Sequence, residues 1–330
     1  MQKVYLHLGA PKTGSTALQC NLFEKIVTHK HGLLYLGKHK EKNDAVFLRL
    51  CEAINKWPTQ QFNSMCSQLS EQLKMFLSAC RGNVLISDES FIVTSYTQAG
   101  KISVYEKIVR LSKVFDGVPV ALILSLRNQP DACYSLYKEL YETYSGIGGV
   151  SLPPRVDDSW EEVYSTYDYN AIVRMVESEL LVIDFYCYFF EDFKKNPLRE
   201  SESLLDFLDV DRSVLVDMPV VNNKEVVRGM TVLPDNSLKR EVELVVIRNR
   251  FLSWVAGLAF IKVGLSFVWS RLGGLLDKIK IKNNVRLPMR DDDFIEISKA
   301  RFSKCNSELA RRDEKIKNRM VCYGYFLDGD

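Results

Sequence analysis

Histidine is scarce in this sequence, four in 330 residues, and no two cysteines stand in a C-x-x-C pair. The eight cysteines (20, 51, 66, 80, 133, 187, 305 and 322) are scattered, most of them in apolar stretches where a thiol packs as a small hydrophobe. Neither a zinc site nor a disulfide framework is expected, and a reducing compartment is the simpler inference. An excess of charge of one sign is also missing. With 44 basic and 42 acidic residues the formal charge is +2, which excludes broad nucleic-acid binding and makes any anion site local. No internal repeat or low-complexity tract appears. What is present, 46% hydrophobic and 26% charged residues, is ordinary for a folded soluble chain of one large α/β domain or two small ones.

The most informative stretch runs from Lys3 to Gln19, KVYLHLGAPKTGSTALQ. Val4, Leu6 and Leu8 read as a buried strand, with His7 packed beside the loop that comes after it. Gly9, Ala10 and Pro11 end the strand, Lys12 to Thr16 turn the corner, and a helix continues from Ser15 to about Thr28. The first N–H groups of a helix lack intrahelical partners and carry partial positive charge, so phosphate is the expected guest. A nucleotide triphosphatase loop reads G-x-x-x-x-G-K-[ST]. Here Ser15 stands where that lysine belongs, and the only lysine of the loop is Lys12.

Further strands are expected at Leu33–Leu36, Val84–Ser87, Val120–Leu126 and Leu180–Phe185. Helices are expected at Asn43–Asn55, Gln60–Cys80, Ser103–Phe115, from Pro130, at Tyr167–Glu179 and at Asn196–Leu208, with a link at Gly146–Pro154. Short apolar strands alternating with helices predict an α/β fold: a three-layer parallel sheet of the P-loop NTPase-like type, helices on both faces, with a mostly helical C-terminal extension. The expected division is a core over 1–220, a helical apolar insertion over 221–290 and a helix over 291–330 that returns to the core. Ligands of such sheets sit beyond the carboxyl ends of the strands, where the first loop, Glu89 and Arg127 all fall.

The loop Pro11-Lys12-Thr13-Gly14-Ser15-Thr16 closely resembles the 5′-phosphosulfate loop of sulfotransferases that use 3′-phosphoadenosine 5′-phosphosulfate (PAPS). Arg127, at a strand end, followed by Pro130 and by Ser135 eight residues on, resembles the family's 3′-phosphate signature. A guanidinium fork suits a phosphate bidentately, and a serine on the next helix can donate to the same oxygens. More weakly, Leu181–Asn196 is similar to the family's strand with a Y-E-D-L-like segment, Phe190 replacing the tyrosine. Arg301–Ala310, with Asn306 and Leu309, resembles the terminal helix of bacterial members.

The resemblance implies transfer of a sulfonate from PAPS to a hydroxyl, less readily an amine, of a carbohydrate or glycolipid acceptor, releasing 3′-phosphoadenosine 5′-phosphate and requiring no metal. Lys12 would neutralise the leaving oxygen, while Lys12, Thr13, Gly14, Ser15 and Thr16, with Arg127 and Ser135, would hold the donor. Glu89 is the first candidate base and His39, between Lys38 and Lys40, the second. The competing readings of Glu89 are the magnesium-binding strand end of an NTPase, against which the displaced lysine argues, and a carboxylate that caps a loop; that of the His39 patch is a solvated basic face. Golgi members of the family carry an N-terminal signal anchor. None is read here, so a bacterial-type cytoplasmic enzyme is expected.

Residues 251–276, FLSWVAGLAFIKVGLSFVWSRLGGLL, fit the plain family least. On a helix, Lys262, Ser266, Ser270 and Asp277 form one narrow polar stripe. A lysine at the centre of a span costs about 3 kcal/mol, so spanning is not expected. A helix packed on the core or a lid over the acceptor is one reading. A peripheral helix at the inner face of the membrane, with Arg248, Arg250 and Arg271 toward headgroups, is the other. Outside the sulfotransferase reading stand a P-loop kinase or NTPase, and a non-catalytic membrane-associated protein on the same fold.

Overall fold

The computed structural model describes residues 2–26, 32–37, 44–93, 102–144, 164–217, 236–237, 280–281 and 292–329. His39, the link at 146–154 and the apolar segment 251–276 lie outside the described residues. The chain divides into two compact units. One comprises residues 1–133, 156–222 and 297–330, and the other residues 134–155 and 223–296.

The first unit is built on a five-stranded parallel sheet, which makes the fold α/β as expected. Its strands are β1 (Val4–Gly9), β2 (Leu33–Gly37), β3 (Asn83–Ser87), β4 (Val120–Leu126) and β5 (Val182–Phe189), in the spatial order β2-β3-β1-β4-β5. Every residue of β1 and β4 is buried, the signature of central strands covered on both faces. On one face Tyr5, Leu85, Ala121 and Ile123 pack with Leu18, Leu22 and Phe23 of the first helix, and with Leu204, Leu205 and Leu208. The alternate side chains Leu6, Leu8, Ile86, Leu122 and Leu124 are equally inaccessible. Full burial of one such leucine contributes about 1.5–3 kcal/mol, so Leu122→Ala would cost that plus a cavity.

The helices are α1 (Ser15–Leu18), which runs on as a π-helical turn over Gln19–Phe23, α2 (Ala45–Asn55), α3 (Thr59–Ala79), α4 (Val104–Val114), α5 (Gln129–Tyr144) and α6 (Tyr169–Glu179). After β5 come α7 (Phe190–Lys195), α8 (Pro197–Phe207), α9 (Asp292–Ala310) and α10 (Glu314–Cys322). Their starts follow the sequence chemistry. Asp44, Ser103, Asp168, Asn196 and Asp313 each accept a first-turn N–H of the helix they precede. In the second unit Asn236–Ser237 pairs antiparallel with Lys280–Ile281, and Tyr134 and Phe294 meet with ring centroids 6.5 Å apart.

Three elements differ from expectation. The first helix does not continue as a regular α-helix toward Thr28: it widens to π geometry from Gln19, whose side-chain amide reaches Ser87 of β3. Strand β5 starts at Val182 instead of Leu180 and extends four residues past Phe185, because Tyr186, Cys187, Tyr188 and Phe189 pair with Ile123 to Leu126. Aromatic side chains suit a pleated, buried surface as well as aliphatic ones do. The C-terminal region carries two helices where one was expected, broken at Arg311–Arg312 ahead of the Asp313 cap.

Candidate active site

The loop between β1 and α1 is held by its carbonyls. Ala10 O accepts from Thr13 Oγ1 (2.7 Å), Pro11 O from Tyr167 Oη (3.0 Å) and Lys12 O from an Arg127 Nη (2.8 Å). Lys12 itself sits at φ 67°, the left-handed region that costs a side-chain-bearing residue energy. That twist turns its carbonyl toward Arg127. Gly14, at the N-cap of α1, has φ 87°, and a Cβ there would stand 2.8 Å from Phe190 Cδ2. Gly9 is constrained by space alone, since a Cβ there would lie 2.0 Å from Ser15 Oγ. No side chain caps α1, so its first N–H groups are left at the mouth of the loop. The arrangement is a cradle, with carbonyls bound from outside and helix donors at the mouth, chemistry that suits an anion.

Within that cradle the expected residues have distinct places. Thr13 and Ser15 are buried, with their hydroxyls 3.3 Å apart. Thr13 Oγ1 is committed to Ala10 O and so braces the loop from within. Lys12 and Gly14 are half-buried, and Thr16 is exposed.

Arg127 arrives from the end of β4, the strand paired with β1 up to Gly9↔Ser125. Besides its bond to Lys12 O, its guanidinium lies over the Phe190 ring, 4.6 Å from the centroid. A cation on an aromatic face is worth about 0.5–2 kcal/mol and fixes the plane of the fork. Phe190 thus supports both Gly14 and Arg127. The backbone of the turn is fastened as well. Tyr169 Oη donates to Arg127 O (2.8 Å) and accepts from its N–H (3.2 Å), and Glu191 Oε1 accepts the Asn128 N–H (2.8 Å). Asn128 donates to Gly324 O (2.9 Å). Gln129 and Asn306, both fully buried, exchange amide bonds at 2.5 and 3.2 Å. Burial raises the Glu191 carboxyl above its usual range, partly offset by that Asn128 N–H.

Across known proteins, no family matches the sequence, and no curated protein matches it. Among solved structures the chain is similar to a sulfotransferase from Alicyclobacillus acidocaldarius. The identity is 14% and the TM-score 0.39, over 67% of this chain and 85% of that one.

Glu89 opens a 3-10 turn, Glu89–Phe91, two residues past the end of β3, on the same sheet edge as the loop. Its neighbour Asp88 does the capping, accepting the Ser90 N–H at 2.8 Å and the Cys51 thiol at 3.4 Å. Lys107 braces the same turn from α4 by donating to Ser90 O (2.8 Å) and Val93 O, and burial lowers its pKa to about 8. Ser135 lies on α5, half-buried, in the second unit, whereas Arg127 belongs to the first. The structure therefore brings together Lys12, Thr13, Gly14, Ser15, Thr16 and Arg127, and sets Glu89 on the neighbouring strand end. Tyr167, Tyr169, Asn128 and Gln129 carried no site signal in the sequence, whereas Glu191 carried one through the Y-E-D-L-like segment and Asn306 through the terminal-helix resemblance.

Proposed function

We propose that this protein is a PAPS-dependent sulfotransferase acting on a hydroxyl of a carbohydrate or glycolipid acceptor. The observation that carries the reading is the bond from Arg127 to Lys12 O, which joins the arginine and the loop into one cradle. Such a cradle suits a nucleotide phosphorylated at both its 5′ and 3′ ends. The loop also lacks the lysine before Ser15 that a kinase uses on its β- and γ-phosphates. Gly14, Ser15 and Thr16 would offer N–H and hydroxyl donors to the 5′-phosphate, and Arg127 its remaining donors to the 3′-phosphate. Ser135 would add a hydroxyl to the latter.

In the transfer the acceptor oxygen forms a bond to sulfur as the bond from sulfur to the bridging phosphate oxygen breaks. The electron pair leaves with that oxygen, where the Lys12 ammonium would neutralise it, and the acceptor proton passes to Glu89. His39 is the second candidate for that proton.

Calorimetry with 3′-phosphoadenosine 5′-phosphate against ATP, without added metal, tests the donor. Binding of the first and not the second is expected, and preference for ATP would end this reading. Arg127→Ala should weaken 3′-phosphoadenosine 5′-phosphate by about 100-fold, the scale of one charge-assisted bidentate contact. The 3′-hydroxyl analogue should lose far less, and equal losses would make Arg127 purely structural.

A further inference from the structure

His7 is 1% exposed and lies in the middle of the sheet, where an apolar side chain would pack at lower cost. Its Nδ1 is 2.6 Å from Ser87 Oγ on β3 and its Nε2 is 2.7 Å from Ser125 Oγ on β4. Gln19, from the π turn of the first helix, donates its side-chain amide to Ser87 Oγ at 2.9 Å. Ser87, Ser125 and Gln19 are fully buried, and the Phe23 ring closes the imidazole edge-on at 5.3 Å. Ser87 Oγ accepts the Gln19 amide and each imidazole nitrogen faces one serine hydroxyl, so either neutral tautomer completes the network. Burial supports the neutral ring, lowering the imidazole pKa to about 3.

The place of this network in the sheet is the telling point. Backbone pairing between β1 and β3 stops at His7↔Ser87, while β1 and β4 stay paired up to Gly9↔Ser125. Beyond His7, then, β1 has lost its ladder on one side. The imidazole bridges the two neighbouring strands at the level where the ladder ends. Ser87 is two residues before Glu89, Ser125 two before Arg127, and His7 two before Gly9.

We propose that His7 is a positioning residue: a neutral side-chain bridge that takes over from the ended backbone ladder and sets the phosphate loop against the turns carrying Glu89 and Arg127. The functional meaning of that spacing rests on the sulfotransferase reading, but the bridge itself does not. Gln19 and the two serines are its anchors, so that helix, loop and three strand ends move as one body.

Amide hydrogen exchange on the full chain tests this, with His7→Ala, His7→Gln and Ser125→Ala compared to the unchanged protein well below melting. In His7→Ala the hydrogen-bonded amides of Thr13, Leu18, Arg127 and Asn128 are expected to exchange about tenfold faster while those of α3 and α4 keep their rates, as a local opening requires. His7→Gln, whose terminal amide can still donate to Ser125, should recover most of that protection. Unchanged loop amides, or an equal rise across α3 and α4, would overturn the proposal. If His7→Ala does not fold, Ser125→Ala removes one bond and keeps the ring. About threefold faster exchange at Thr13 and Leu18 is then expected, and unchanged rates would again overturn the proposal. Failure of the unchanged protein to bind 3′-phosphoadenosine 5′-phosphate would remove the sulfotransferase reading and leave the exchange result to decide the bridge.

Discussion

Gly14 is held by two independent constraints. Its φ of 87° is a conformation that costs an L residue about 1–2 kcal/mol, and the Phe190 ring edge stands where a Cβ would be. Gly14→Ala must either push Phe190 off its place beneath Arg127 or unwind the loop. Calorimetry should show loss of 3′-phosphoadenosine 5′-phosphate binding, and urea melts a stability loss of about 1–3 kcal/mol. His7 sets a pH dependence whose sign is fixed by its burial. The unfolded chain takes a proton near 6.5, the folded chain only at about 3. Its contribution is therefore complete above 6.5 and is lost as pH falls through that window, by up to about 1.4 kcal/mol per unit. Glu191 and Glu200, raised by burial, favour the fold in the opposite direction as pH falls. The difference between the unchanged protein and His7→Gln isolates the histidine. Urea melts at pH 7, 5 and 4 should show the His7→Gln deficit shrinking with falling pH, and a constant deficit would refute the assignment.

At the scale of elements, the turn after β4 is braced by groups distant in sequence: Tyr169 on α6, Glu191 on α7, Asn306 on α9 and the backbone at Gly324. Asn306→Leu leaves the buried Gln129 amide without its partner and should cost about 1–3 kcal/mol in a urea melt. If Asn306 serves the arginine turn, binding of the 3′-phosphorylated nucleotide should weaken while the 3′-hydroxyl analogue is spared. The strand ends, the turn after β1 and the place of Arg127 at the end of β4 were legible from sequence because each is written locally: an apolar run, then glycine or a charge. The braces were not legible. Gln129 and Asn306 are 177 residues apart, and His7 gains its partners only once β3 and β4 are known to flank β1. Phe190 shows the same limit. As a substitution in a motif it looked like a lost hydroxyl, whereas in the fold its ring carries Arg127 and closes on Gly14.

At the scale of the whole molecule, donor recognition and acceptor handling should separate. The cradle and its braces are assembled from the first unit alone, apart from the proposed Ser135 contact. Residues 251–276 are written in a different style, with a single polar stripe and aromatic residues at Trp254, Phe260, Phe267 and Trp269. Lys262 lies within that stripe and Arg248, Arg250 and Arg271 lie at its ends, cations that the membrane-surface reading would turn toward headgroups. A lid or packed helix and a membrane-surface helix predict different losses on deleting 245–280. For a lid, the deleted protein should bind 3′-phosphoadenosine 5′-phosphate within about threefold of the full chain and lose acceptor turnover, because donor contacts are intact and closure is not. Neither protein should sediment with anionic vesicles. Sedimentation of the full chain that disappears on deletion would place the acceptor at a lipid surface instead, and a large loss of donor binding would make the segment part of the core.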